Sequence, residues 1–277
     1  MKVSIKGVRG SIPSTGADTS FYGGNTSCTL VTEEGWFLVL DGGSGLQKVN
    51  IPYTLTQRVD ILLTRLHLDH IQGLGFFAPL FNPSMEIHIW GPASAVQSLH
   101  SRLSRYLSPP LFPVLIRDLP CKLILHDVEN SSFEIGPFKI EGRYIIHPGP
   151  TVGYRVKGKH SVFAYIPDHE PALSATGLPT EKKWISGYDI AANADLLMHD
   201  GQYTAEEYKT RAGWGHCSMQ DAIKLASIAE VKHLLLTHHD PFHTDTQLNE
   251  MFLEIQKNIN VPLTCELAKE GMEIELP

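Results

Sequence analysis

The chain is short of cysteine, of long apolar runs and of positive charge, and each shortage removes a class of protein. Its four cysteines, Cys28, Cys121, Cys217 and Cys265, stand far apart with no C-x-x-C pair among 277 residues. Neither a zinc ribbon nor a disulfide framework is expected, and the thiols read as reduced and structural. No apolar stretch reaches membrane-spanning length, and the opening MKVSIKGVRG lacks the apolar core of a secretion signal. The expectation is a cytoplasmic protein without membrane contact. With 23 Lys and Arg against 30 Asp and Glu, the net charge is -7. That argues against gripping extended nucleic acid through a basic face and leaves a small anionic substrate open. There is no close repeat or low-complexity tract, and the length suits one domain over residues 1–277.

What is present is an alternation of short β-rich runs and amphipathic segments. KVSIKG opens it, and SCTLVTEEGWFLVLDGGSG reads as two strands turned at EEG. RVDILLT, MEIHIWGP, CKLILHDV, SSFEIG and FKIEGRYIIH follow as strands, then VGYRVKGKHSVFAYIPD as a hairpin turned at KGKH. Later strands are ADLLMHDG, VKHLLLTHHD and the closing VPLTCELAKEGMEIELP. Helical spacing of apolar residues predicts helices at ASAVQSLHSRLSRYL, SMQDAIKLASIAE and DTQLNEMFLEIQKN, with a loop and helix at LDHIQGLGFFAPL. The pattern is α/β, two sheets covered by helices.

Histidine is abundant, 14 in all, and several sit at the ends of apolar runs. Just past the strands stand Asp41, the segment Arg65 to His70, His147, Asp168, Asp200 and His238. Functional groups gather at that edge in layered α/β folds. One such histidine is ordinary packing or capping, but six strand ends delivering acids and imidazoles are not explained that way. Metal-assisted hydrolysis is the chemistry that uses this set: a divalent ion held by imidazoles and carboxylates brings the pKa of a bound water to roughly 7. Two ions close together need a bridging carboxylate, for which Asp168 is the natural candidate.

The segment TRLHLDH resembles the T-H-x-H-x-D-H motif of the metallo-β-lactamase superfamily. In order, IIHPGPTVGYRV, AYIPDHE, ADLLMHDGQYT, GHCS and LLLTHHDPFHTD resemble the remaining motifs of its ribonuclease Z-like branch. The opening GVRGSIPSTGADTSFYGGNTSC is similar to a prokaryotic phosphodiesterase group within that branch. The resemblance implies a four-layer αββα sandwich, a di-metal site and phosphodiester hydrolysis. It places the first metal at the position of Arg65 with His67, His147 and Asp168, and the second at Asp69, His70, Asp168 and His238. It gives Asp41 the task of orienting a ligand imidazole, and Asp69 that of assisting the attacking water. His216 matches the residue that contacts the scissile phosphate and protonates the leaving oxygen, and Asp200, where a Glu is usual, matches its orienting acid. The implied ions are Zn or Mn, one or two per chain. The long arm with which ribonuclease Z grips transfer RNA has no evident counterpart, so the expected substrate is a small phosphodiester, a cyclic nucleotide or cyclic sugar phosphate. A homodimer is the general expectation for such domains.

Arg65 complicates the first site, because a guanidinium has no lone pair to give a metal. Three readings stay open. Its charge replaces that of the missing ion and pairs with substrate phosphate; or it points away and a metal still binds through His67, His147 and Asp168; or it disables the site. The rival functions are a lactamase or lactonase on the same fold, and a non-catalytic protein that holds a nucleotide or anion. Plainer readings stand beside the others: a capped loop for His67, Asp69 and His70, and a helix N-terminal histidine beside Ser218 for His216. His239 competes with His238 for the metal. His243 and Asp245 read as a polar surface loop, Arg102 and Arg105 as a solvated helix face, and GVRGS and YGGNTS as simple turns. His88, His100, His126, His160 and His233 read as surface or packing residues.

Overall fold

Fourteen strands form two seven-stranded sheets in the computed structural model, which describes residues 1–52, 56–173, 177–257 and 263–277. The first sheet contains β1 (Lys2–Gly7), β2 (Cys28–Glu33), β3 (Trp36–Leu40), β4 (Arg58–Leu62), β5 (Glu86–Pro92) and β6 (Lys122–Val128). The second contains β7 (Ser131–Ile135), β8 (Phe138–Tyr144), β9 (Val152–Lys157), β10 (Val162–Ile166), β11 (Leu196–Asp200), β12 (His233–Thr237) and β13 (Thr264–Leu267). The last strand, β14 (Glu273–Glu275), returns to pair with β1 at the edge of the first sheet. In spatial order the sheets run β14-β1-β2-β3-β4-β5-β6 and β13-β12-β11-β10-β9-β8-β7.

Local chemistry explains the turns. Glu34 and Gly35 both carry positive φ, 48° and 81°, as the tight turn joining antiparallel β2 and β3 requires. From β3 to β6, and again from β10 to β13, the strands are parallel. Parallel strands line up their C-terminal ends, and this is how residues far apart in sequence reach one edge.

Three apolar layers result. Val3, Leu38, Leu40 and Leu62 of the first sheet meet Phe138, Tyr154, Phe163 and Leu196 of the second in the central core. Outside the second sheet, α5 (Met219–Ile228) and α6 (Asp245–Gln256) bury Met219, Ala222, Ala226, Leu248 and Phe252, a 3.6-residue spacing that fixes one face inward. Ser218 caps α5, and Thr244 with Gln247 forms a capping box on α6. The outer face of the first sheet is covered by short helical turns, among them α1 (Leu68–Ile71) and α2 (Leu99–Leu103). Between these pairs come α3 (Tyr188–Ala191) and α4 (Ala205–Tyr208). The expected αββα sandwich is present, and no helix among the described residues is long and apolar enough to cross a membrane.

Two expectations change. The helix predicted over residues 93–107 is helical only at α2, because the Ser98 hydroxyl accepts from Ser101 N–H and starts the helix there. His243 and Asp245 are buried, not part of a surface loop: His243 meets Glu207 at 2.8 Å, and Asp245 pairs with the buried Arg9 at 3.3 Å. The ends of two predicted elements, residue 258 and residues 261–262, lie outside the described residues.

Candidate metal centre

The parallel strand ends converge on a single buried cluster. Asp41 follows β3, Arg65 follows β4, Asp168 follows β10, Asp200 ends β11 and His238 follows β12. Asp69 and His70 lie on α1, so the H-x-D-H segment is a strand-end loop running into one helical turn. Asp41 and His238 both hold φ of +60°, a conformation costly for residues with a Cβ, which turns their side chains back over the strand ends. Gly10 passes so close to His238 that a Cβ there would lie 2.3 Å from the imidazole Nδ1. The glycine of GVRGS is therefore required by close approach.

Asp69, His70, Asp168 and His238 each offer a donor atom, and these atoms lie within 4.8 Å of one another. Asp41 lies 2.8 Å from His70 Nδ1 and is itself held by Thr64 N–H at 2.8 Å. On the opposite side His238 Nδ1 donates to Gln202 Oε1 at 3.2 Å. Both imidazoles thus turn Nε2 toward the carboxylates, the arrangement in which a hydrogen bond on one nitrogen sets the other as a ligand. His70 Nε2 lies 2.9 Å from Asp168, and His238 Nε2 lies 2.7 Å from it. Yet His70 Nε2 and both Asp168 oxygens, all buried, find no hydrogen bond of proper geometry. Unsatisfied donor atoms of this type at this spacing fit a borderline divalent cation.

Charge explains the protonation of the metal-free cluster. Burial alone would lower the His238 pKa, but Asp168 and Asp69 outweigh it and raise it to about 9. His70 is likewise pulled down by burial and carried well above its usual range by Asp168, Asp41 and Asp69. Burial would raise the carboxyls, yet Asp69 is held well below its ordinary value by His70, His238 and Arg65, and Asp168 by Arg65, His238 and His70.

Arg65 points into this cluster. Its guanidinium is buried, 2.8 Å from Asp168 and 3.1 Å from Asp69, and it donates to His147 Nε2. His147 Nδ1 in turn donates to Gly215 O at 2.7 Å, and burial with the Arg65 charge depresses its pKa to about 3. The reading in which Arg65 turns away is overturned. Both terminal nitrogens face protein groups, Nη1 toward His147 and Nη2 toward Asp69 and Asp168. His67 is exposed, its ring centroid 5.3 Å from that of His147. Among the described residues neither of these histidines belongs to a set of three potential ligands. The positions matched to the first metal therefore do not fit an ion, whereas those matched to the second do.

Beside the cluster His216 Nδ1 donates to Asp200 Oδ2 at 2.6 Å, and the shorter acid reaches its partner. The His216 ring stacks on His238 with centroids 4.8 Å apart. His239 faces away and donates to Ala268 O at 2.8 Å. Three further contributors escaped the sequence reading. They are Gln202 behind His238, the Ser11 N–H donating to Asp69 at 3.0 Å, and Glu170. Buried Glu170 accepts from Gly213 N–H at 2.8 Å and Gly215 N–H at 3.0 Å, clamping the loop that carries His216. Gln202 and Glu170 each stand two residues after a strand-end acid, which is the only signal the sequence holds for them.

Comparison with known proteins agrees with this geometry. The family described as "Beta-lactamase superfamily domain" matches residues 43–239, more than half of the chain. Ribonuclease Z of Myxococcus xanthus is 27% identical over 288 residues, spanning 91% of this chain and 92% of its own length. The metallo-beta-lactamase fold protein YhfI of Bacillus subtilis superposes with a TM-score of 0.71 at 22% identity, covering 99% of this chain and 98% of that one. The short form of human tRNase Z gives 0.69 at 20% identity, with both chains fully covered. With the family match and an intact His–Asp cluster, the chain belongs to the beta-lactamase superfamily and is a metallo-hydrolase.

Proposed function

We propose that the chain hydrolyses a small phosphodiester using one divalent ion, Zn or Mn, held by Asp69, His70, Asp168 and His238. The observation that carries this reading is the His216–Asp200 pair at 2.6 Å, set directly beside the ligand cluster. When bound, the ion would supply Lewis-acid charge to a phosphoryl oxygen and make a bound water more acidic. The chain's own residues supply the rest. Asp69, fixed by Ser11 N–H, orients the attacking water. His216, oriented by Asp200 through Nδ1, gives an Nε2 proton to the leaving oxygen as its bond to phosphorus breaks and the bond from water forms. Arg65 acts through Asp69, Asp168 and His147. It supplies part of the charge of a second ion and holds those groups in place.

Cavities of about 310 and 330 Å3 flank the cluster, one beside Arg65 and His67, the other beside His216. Their size and the net charge of -7 support a cyclic nucleotide or cyclic sugar phosphate over a folded RNA. The test is turnover of bis-p-nitrophenyl phosphate against nitrocefin with added Zn or Mn. Diester turnover alone is expected, and nitrocefin turnover alone would establish a lactamase. Turnover of neither, with tight nucleotide binding, would establish a binding protein. Faster cleavage of a structured RNA than of small diesters would overturn the substrate class.

A further inference from the structure

We infer that the cavity beside His216 is a subsite for a planar aromatic ring, a nucleobase carried by the leaving group of the diester. The inference rests on the phosphodiesterase reading and narrows it. A single exposed apolar side chain means little, but a group of them around one cavity does. Ile12, Trp214 and Phe242 are 54%, 61% and 84% exposed, and all three line the cavity with His216 at its wall. By contrast, the cavity on the Arg65 side is lined by aliphatic Leu68 and Leu111 with Tyr106, and contains no Trp or Phe.

Trp214 is displayed by construction. It stands between Gly213 and Gly215, whose φ values of +87° and +90° reverse the chain on either side. The Glu170 carboxylate holds both glycine N–H groups, and Tyr208 donates to it at 2.6 Å. The clamp that points His216 inward thus points Trp214 outward, and an indole in solvent gains nothing from that unless something covers it. Phe242 is presented by an equivalent device, its N–H donating to Asp240 Oδ1 at 2.9 Å. Arg211, stacked on Tyr203 at 4.9 Å, adds a cation to the same wall. Two aromatic faces, a cation and a proton donor about one small cavity suit a flat, electron-rich ring attached to the oxygen that leaves.

The experiment uses the metal-loaded wild type with Trp214→Ala and Phe242→Ala. It compares kcat/KM for a nucleoside cyclic phosphate with that for the same sugar cyclic phosphate lacking the base. The wild type is expected to prefer the nucleoside, and each substitution to reduce that preference on the order of tenfold, chiefly through KM. An unchanged preference in both variants overturns the inference. Calorimetric binding of AMP against ribose phosphate reads the ring independently of turnover. If the wild type binds both equally, the subsite is overturned. If it binds AMP more tightly and Trp214→Ala does not, while no diester is turned over, the subsite stands and the phosphodiesterase reading fails.

Discussion

The two halves of the candidate metal centre lie on the same fold and have come to opposite ends. On one side Asp69, His70, Asp168 and His238 keep four donor atoms within 4.8 Å, with Asp41 and Gln202 fixing the two imidazoles from behind. On the other, the Arg65 guanidinium fills the space between His147, Asp69 and Asp168, and His67 is left in solvent. A fixed organic cation and an exchangeable metal ion are alternative answers to one electrostatic demand, since buried carboxylates need positive charge close by. The difference is that the guanidinium balances the charge of the carboxylates but has no coordination position to offer.

Asp168 is the residue the halves share, and replacing it should have the largest effect. Fully buried, it faces Arg65, His70 and His238 together. Asp168→Asn should abolish metal binding and turnover, and should destabilise the metal-free fold by about 3–5 kcal/mol by leaving cations uncompensated. Metal analysis and urea unfolding measure the two. Retained metal would mean that the halves do not meet at this carboxylate.

His216→Ala tests whether the intact half acts with a proton donor. Diester turnover should fall by roughly 10²–10⁴ with metal content unchanged, because His216 Nδ1, though 3.8 Å from Asp168 and grouped with Asp168, Asp200 and His238, is bonded to Asp200 at 2.6 Å. An equal loss of metal would make His216 a ligand.

The next test is in protons, since His70 and His238 must lose theirs to bind an ion. Metal affinity should therefore rise with pH toward about 9, the His238 value, by about tenfold per pH unit for each proton released. The metal-free protein should show the reverse trend. A raised histidine pKa stabilises the fold fully below its unfolded value near 6.5, and that contribution disappears as pH rises through about 9. Melting with and without chelator across this window shows both slopes, and parallel slopes would exclude these histidines as the ligands.

Much of this was legible in the sequence because strand ends advertise themselves. Short apolar runs ending in Asp41, Asp168, Asp200 and His238 declare both a strand and the group at its tip, and parallel pairing brings the tips together. The helix over residues 93–107 was overdrawn because periodicity does not register Ser98 competing for the backbone. Glu170 and Gln202 were missed because their roles depend on loops that meet only in three dimensions. Arg65 could be recognised as a non-ligand from its chemistry alone, but whether it faced inward was a matter of packing.

Arg65→His is the smallest change in number and the most direct on the comparison. Removing the guanidinium takes a cation from between Asp69 and Asp168 and frees His147 Nε2, which it now occupies. The new imidazole would stand where the motif's first histidine belongs, and His67 is unhindered by burial from turning in. Metal content should rise from about one ion per chain to about two, and the second ion should restore the stability lost with the arginine charge. Plasma mass spectrometry of both proteins, with diester turnover on the same samples, reads the outcome. Two ions already present in the wild type would mean that the guanidinium yields its place to metal, and the division into a metal half and an arginine half would fail.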